Sequence, residues 1–173
     1  MIITKYCETD FTSYEDFYSR FKINVPDNFN FAYDVVDRLA AEKPGERALV
    51  WCNDKGEERV FTFSDIKRLS DKAANMFLSF GIKKGDAVMT TLRSAYQYWI
   101  TAVALHKIGA ILIPATYQLT DKDIEYRINS AKVRAIVTVG CSELMSYIDK
   151  AAENCPSLEF KFVVSGCAAG YID

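Results

Sequence analysis

The 173-residue sequence has one histidine, His106, and its five cysteines, Cys7, Cys52, Cys141, Cys155 and Cys167, form no CxxC pair. Zinc-ligand spacing is therefore absent and no metal site is assigned. The cysteines are odd in number and irregularly spaced. They are expected to be free, mostly buried thiols acting as small hydrophobes, with no Cys–His nucleophile to place. His106 lies in an apolar, helix-like run and reads as a packed or rim residue. A surplus of charge is lacking too: 21 Lys and Arg against 23 Asp and Glu give a net charge of −2. That balance argues against a nucleic-acid partner recruited by a strongly basic surface. No apolar run reaches the roughly 18 to 20 residues that cross a bilayer. The longest, Ala102 to Ala115, is interrupted by His106, Lys107 and Pro114. Beyond Met1 to Ile3 the polar Thr4, Lys5 and Glu8 intervene, so neither a secretory signal nor an Arg-rich transit peptide is visible. The expectation is a cytoplasmic location with no membrane segment.

Glycine-rich phosphate loops are also missing. No GxGxxG follows a candidate strand, and GxxxxGK[ST] occurs nowhere. Such turns use Gly because only Gly lets backbone N–H groups approach phosphate closely at a helix start.

What is present is periodicity. Thr12 to Phe21 places Tyr14, Phe17, Tyr18 and Phe21 on one helical face, with Thr12 and Glu15 as a capping-box pair. Ile23 to Asn30 reads as a linker, after which Asn30 can cap a helix through Ala32, Val35, Val36, Leu39 and Ala40, stopped by Pro44 and Gly45. Ala48 to Cys52 and Arg59 to Phe63, joined through Asn53 to Gly56, predict a β-hairpin. Ser64 begins an amphipathic helix with Ile66, Leu69, Ala73, Met76, Phe77 and Phe80 on its face, closed by Gly81.

From Asp86 strands and helices alternate. Ala87 to Leu92 is a candidate strand. Ser94 with Gln97 can cap an almost wholly apolar helix ending at Gly109. Ile111 to Ile113 is a short strand, and Thr120 with Asp123 caps a helix burying Ile124, Ile128 and Ala131. Ala135 to Val139 is a strand, Ser142 opens a helix through Met145, Ile148 and Ala152, and Phe160 to Val164 is the last strand. Parallel strands need long crossovers, and each connection has room for one helix, so the series predicts βαβ units. The expected fold is α/β: an open, mainly parallel sheet with right-handed crossovers and flanking helices, preceded by an N-terminal helical segment and the hairpin. The expected divisions are an extension and linker over 1–30, the main α/β part over 31–166, and a tail over 167–173. That tail reads as a loop with no following element, as though the fold were incomplete there.

Open α/β sheets bind ligands beyond the carboxyl ends of their strands. Those positions are Arg93 and Ser94, Ala115 to Gln118, Gly140 and Cys141, and Ser165 to Cys167. Lys83, Lys84 and Gly85 precede a strand and belong to the opposite edge, where they read as a basic surface turn. Asp121, Asp123 and Glu125 are accounted for by capping and dipole compensation rather than acid–base chemistry. Tyr96, Tyr98 and Trp99 read as core packing, although they could form a platform for a base. Gln118 stands apart, being polar and uncharged in a Pro-containing loop. Loop hydrogen bonding and ligand contact both fit it.

The run GIKKGDAVMTTL, the stretch YWITAVALHKIGAILIPATYQLTDKDIEYRINSAKVRAIV and the ending CPSLEFKFVVSG together resemble the N-terminal part of AMP-forming acyl-CoA synthetases of the adenylate-forming superfamily. FNFAYDVVDRLAAEKPGERALVW, NDKGE and FTFSDI are similar to the medium-chain branch, and the resemblance spans roughly Phe29 to Gly166. It implies a ligase using a small-molecule carboxylate, ATP with Mg²⁺, and CoA, in which an acyl-adenylate forms with release of pyrophosphate and CoA then displaces AMP. The family's phosphate loop, its adenine and ribose contacts and its catalytic lysine are expected outside these residues. No catalytic residue is assigned here, and the chain alone is expected to be inactive and to hold no ligand tightly. One position carries over: the glutamine of the P-x-T-x-Q segment, associated with the CoA site, is Gln118. The alternative is a stand-alone, non-catalytic α/β binding or interaction module. An exposed sheet surface would also allow self-association.

Overall fold

The computed structural model describes residues 2–173, so Met1 of the expected 1–30 extension lies outside them. After a 3₁₀ turn at Ile2–Lys5 comes helix α1 (Tyr14–Arg20). A π-helical segment (Ala32–Asp37) runs directly into α2 (Arg38–Glu42). Strands β1 (Arg47–Cys52) and β2 (Glu58–Thr62) pair antiparallel as the expected hairpin, followed by α3 (Phe63–Ser79). Then β3 (Ala87–Thr91), α4 (Gln97–Ile108), β4 (Ile111–Pro114), α5 (Asp121–Ala131), β5 (Val133–Thr138), α6 (Ser142–Ala152) and β6 (Phe160–Val163) alternate. The last four strands form one parallel sheet in the order β4-β3-β5-β6, so the fold is the α/β arrangement expected from the strand–helix alternation.

The sheet is covered on both faces. Because side chains alternate along a strand, Ala87 and Met89 of β3 join Ile124 and Ile128 of α5 and Leu144, Ile148 and Ala151 of α6 in one core. Val88 of β3 and Ala135 and Val137 of β5 join Ala74 and Phe77 of α3 and Ala104 and Leu105 of α4 in the other. A third cluster, Ala32, Val36, Phe61, Ile66 and Val103, ties the π segment and hairpin to α3 and α4. β3 and β5 are central and bury almost every residue.

Several starts move. Helix α3 begins at Phe63, one residue before the expected Ser64, and is capped by Thr62, whose hydroxyl and Asp65 form a capping box. Ser13, not Thr12, caps α1, while Thr12 donates its N–H to Asp16 at 3.0 Å. Ser94 does not cap α4. It takes a positive φ of 46° and its carbonyl accepts the Trp51 indole N–H, so the helix starts at Gln97 without a side-chain cap. Trp99, expected in the core, is 54% exposed, and Ala131 is exposed too. Cys7 and Cys155 are buried as expected, but Cys52, Cys141 and Cys167 are exposed, each lying in a loop or at the end of a strand or helix rather than within a packed face. His106 is an exposed rim residue, edge-on to Phe31 at 6.0 Å.

The expected loop after β6 also has more order than its composition suggests. Ile172 forms a parallel bridge with Phe162, donating to the Lys161 carbonyl and accepting from the Val163 N–H, both at 2.8 Å. Tyr171 packs against the α5–α6 core and Ile172 against the α3–α4 core. Burial and hydrogen bonding to Asp149 push the Tyr171 phenol pKa well above its usual range. Among the described residues no helix is long and apolar enough to cross a membrane.

Candidate functional site at the carboxyl edge of the sheet

The chain order makes β4 and β5 lie on opposite sides of β3, so the sheet changes winding direction at β3. In this architecture such a switch opens a crevice beyond the strand carboxyl ends. A cleft of about 370 Å³ lies there, lined by Arg93 after β3, Tyr117, Gln118, Leu119 and Thr120 after β4, and Val139 and Cys141 after β5. Glu143, Leu144 and Tyr147 of α6 complete it. That volume falls in the range of small-molecule sites. Leu119, Val139 and Leu144 form an apolar wall, while Gln118, Arg93 and Thr120 supply polar groups.

Gln118 is held by its backbone, not its side chain. Its N–H donates to the Thr116 hydroxyl at 3.3 Å, and the amide group is exposed and has no protein hydrogen-bond partner among the described residues. An amide with two donors and an acceptor in a cleft can bind either polarity of ligand group. Glu143 accepts from the Tyr147 hydroxyl at 3.3 Å, and this carboxylate pushes the Tyr147 pKa up.

The other expected carboxyl-end residues line two adjoining clefts. Arg93, Ser94, Val139 and Ser165 border one of about 450 Å³ together with hairpin residues Trp51, Cys52 and Arg59. Gly140, Gly166 and Cys167 border another. Gly140 is required by space: a Cβ there would sit 2.1 Å from the Ser165 carbonyl oxygen. The loops after β5 and β6 therefore touch through backbone.

The residues set aside as structural behave so. Asp123 completes the α5 capping box, Asp121 pairs with Lys150 at 2.5 Å, and Glu125 accepts from Asn154 at 3.2 Å. The Thr120 hydroxyl and N–H hold the Asp123 carboxyl below its usual range. Gly85 donates to the Gly109 carbonyl at the amino edge, away from the cleft. Tyr96 packs between Trp51 and Phe61 instead of forming a platform. The aromatic partner that sequence reasoning missed is Tyr117, over whose ring the Arg93 guanidinium lies at 4.7 Å. Sequence placed both residues at strand carboxyl ends but gave no signal that their side chains meet.

A parallel sheet with a polar cleft at its switch point is the design of an α/β ligand-binding domain. The chain belongs to the AMP-binding enzyme family, whose model matches residues 36–168. It is 37% identical over 162 residues to acyl-coenzyme A synthetase ACSM3, mitochondrial, of Homo sapiens, covering 90% of this chain and 27% of that protein. It is 40% identical over 147 residues to acyl-coenzyme A synthetase ACSM4, mitochondrial, of Rattus norvegicus, covering 82% and 25%. The chain thus spans about a quarter of the length of these curated relatives. In structure it is similar to the anthranilate CoA ligase AuaEII in complex with anthranoyl-AMP, with a TM-score of 0.75 and 21% identity over 86% of this chain and 27% of that one. A variant of coronafacic acid ligase from Pectobacterium brasiliense gives 0.67 and 22% over 79% and 25%. These likenesses show the adenylate-forming ligase fold.

Proposed function

We propose that these residues serve an AMP-forming acyl-CoA synthetase, which joins a carboxylate to CoA through an acyl-adenylate at the expense of ATP, and that Gln118 contributes to its CoA site. The observation that carries the reading is the placement of Gln118: its unpartnered amide stands in the switch-point cleft of a chain that belongs to this family. The carboxyl edge supplies the binding wall, and the amide orients a polar ligand group by hydrogen bonds.

Mg²⁺ with ATP would supply charge neutralisation at the phosphates. Among the described residues no group of three His, Cys, Asp or Glu side chains is arranged to hold a metal ion. Mg²⁺ bound with ATP takes most of its ligands from phosphates and water, and no side chain of this chain is assigned to hold it. Transition-state stabilisation at the α-phosphate is assigned to other residues of the enzyme, as the lack of a phosphate loop supports.

Two measurements test the reading. Titration of the chain with CoA, followed by NMR so that weak binding registers, is expected to shift resonances of residues 117–120, and Gln118→Ala is expected to weaken CoA by several-fold. Unchanged affinity in that variant would return Gln118 to a loop role. The chain alone is expected to give no carboxylate-dependent pyrophosphate release, and release would overturn the assignment of that chemistry to other residues.

A further inference from the structure

Arg93 is unlike the other cations packed near the sheet. Arg134 is bound by Asp86 and Glu159, each at 2.7 Å, and Lys107 by Asp37 and Asp71 at 2.8 and 2.5 Å. Arg93 has no carboxylate within ion-pair distance among the described residues, although Glu143 shares its cleft and Asp54 and Glu57 line the neighbouring one. It follows β3 at the switch point and borders both clefts. Its guanidinium lies over Tyr117, next to Gln118, at 4.7 Å from the ring centroid. Stacking of this kind orients the planar fork without using its N–H donors, which stay available for a bidentate acceptor.

We propose that Arg93, oriented by Tyr117, is a phosphate-recognition residue of this cleft and selects the phosphorylated end of a CoA thiol. The inference rests on the assignment of the cleft to CoA and adds the group that distinguishes CoA from its unphosphorylated part. Arginine matches phosphate oxygens in a fork-to-fork geometry, and charge-assisted hydrogen bonds are the stronger kind. Tyr117 is a positioning residue: it fixes the guanidinium plane and makes no contact with phosphate itself.

The test is NMR titration of the ¹⁵N-labelled chain with four probes: CoA, 3′-dephospho-CoA, pantetheine and sodium pyrophosphate. CoA is expected to bind about tenfold or more tightly than pantetheine, with a preference that weakens as salt is raised. Arg93→Gln should erase the difference while leaving pantetheine binding unchanged, and Arg93→Lys should restore part of it. The 3′-dephospho-CoA arm reports which phosphate is read. Gln118→Ala should weaken CoA and 3′-dephospho-CoA by the same factor, because a neutral amide does not count phosphates. If CoA and pantetheine bind alike, or Arg93→Gln preserves their ratio, the proposal fails while the CoA assignment stands. If no probe binds, both fail. Pyrophosphate binding as tight as CoA overturns the selection of CoA. Arg93 is exposed, and an unchanged ¹⁵N spectrum of the free variant establishes that it folds.

Discussion

The two edges of the parallel sheet are built on opposite principles. At the amino edge polar groups are consumed by the protein. Arg134 holds Asp86, Glu159 and the Gly81 carbonyl at 2.7 to 2.8 Å, and the Gly85 N–H closes on Gly109. Nearby, Lys107, its side chain 2% exposed, is bound by Asp37 and Asp71. At the carboxyl edge Arg93 has an aromatic partner and no carboxylate, and the Gln118 amide has no protein partner. The buried hydroxyls of Thr90 and Thr91, at the end of β3, lack hydrogen-bond partners among the described residues. Leaving such groups unmade costs free energy. One edge spends its polar groups on the fold, and the other leaves several without a protein partner among the described residues.

The largest effect should come from the consumed edge. Lys107→Ala leaves Asp37 and Asp71 with only the more exposed Lys67, at 3.8 and 2.6 Å, and a loss of about 2–3 kcal/mol is expected in urea unfolding. A loss under about 1 kcal/mol would show that this network is not structural. Gly140→Ala should cost about 1–3 kcal/mol by forcing the loops after β5 and β6 apart, as overpacking does, read as a lowered unfolding midpoint. Arg134→Ala, whose pairs are partly screened by solvent, should cost about 1 kcal/mol.

Thr91→Val tests the free edge. It removes a buried hydroxyl without a partner at nearly constant shape, so stability should hold or rise by up to about 1 kcal/mol. A clear loss would mean that the hydroxyl is satisfied in the fold. The smallest effect concerns pH. Desolvation acts to raise the Asp86 pKa but is outweighed by hydrogen bonds from the Lys83 N–H and Arg134, so the folded value is depressed. Thr62 likewise lowers Asp65, through its N–H and hydroxyl. A depressed carboxylate stabilises the fold above its unfolded pKa, near 4, and that contribution fades as pH falls through the folded value. The urea midpoint should therefore drop as the solution is acidified below about pH 4. It should drop less in Arg134→Ala, where the Asp86 pairing is gone.

Most of the sheet was legible because its strands are short β-branched runs separated by helical periods, and each predicted strand lies within about two residues of the observed one at either end. Burial on individual helix faces was harder to read. Trp99 is apolar at helical spacing yet faces solvent, while Ala104 and Leu105 pack against α3 and Val103 against the π segment and α3. Lys107 was unreadable as a buried residue because its partners come from residues 36 and 70 positions away. The π segment is invisible to a 3.6-residue period. Of the site, Arg93, Gln118 and Cys141 fall in one cleft while Ser165 and Cys167 fall in two others, and the stacking of Arg93 on Tyr117 joins side chains 24 residues apart and needed the folded chain.

The contact between Gly140 and the Ser165 carbonyl has a consequence for how such a cleft can diversify. Because two neighbouring loops meet through main chain, their spacing is independent of the side chains around them. Cys141 and Cys167, on those two loops, could each be exchanged to suit another ligand while the loops kept their spacing. Position 140 has no such licence. The rim is thus divided into a frame without variants and a palette of residues free to change, and an engineer altering ligand preference should begin with the second.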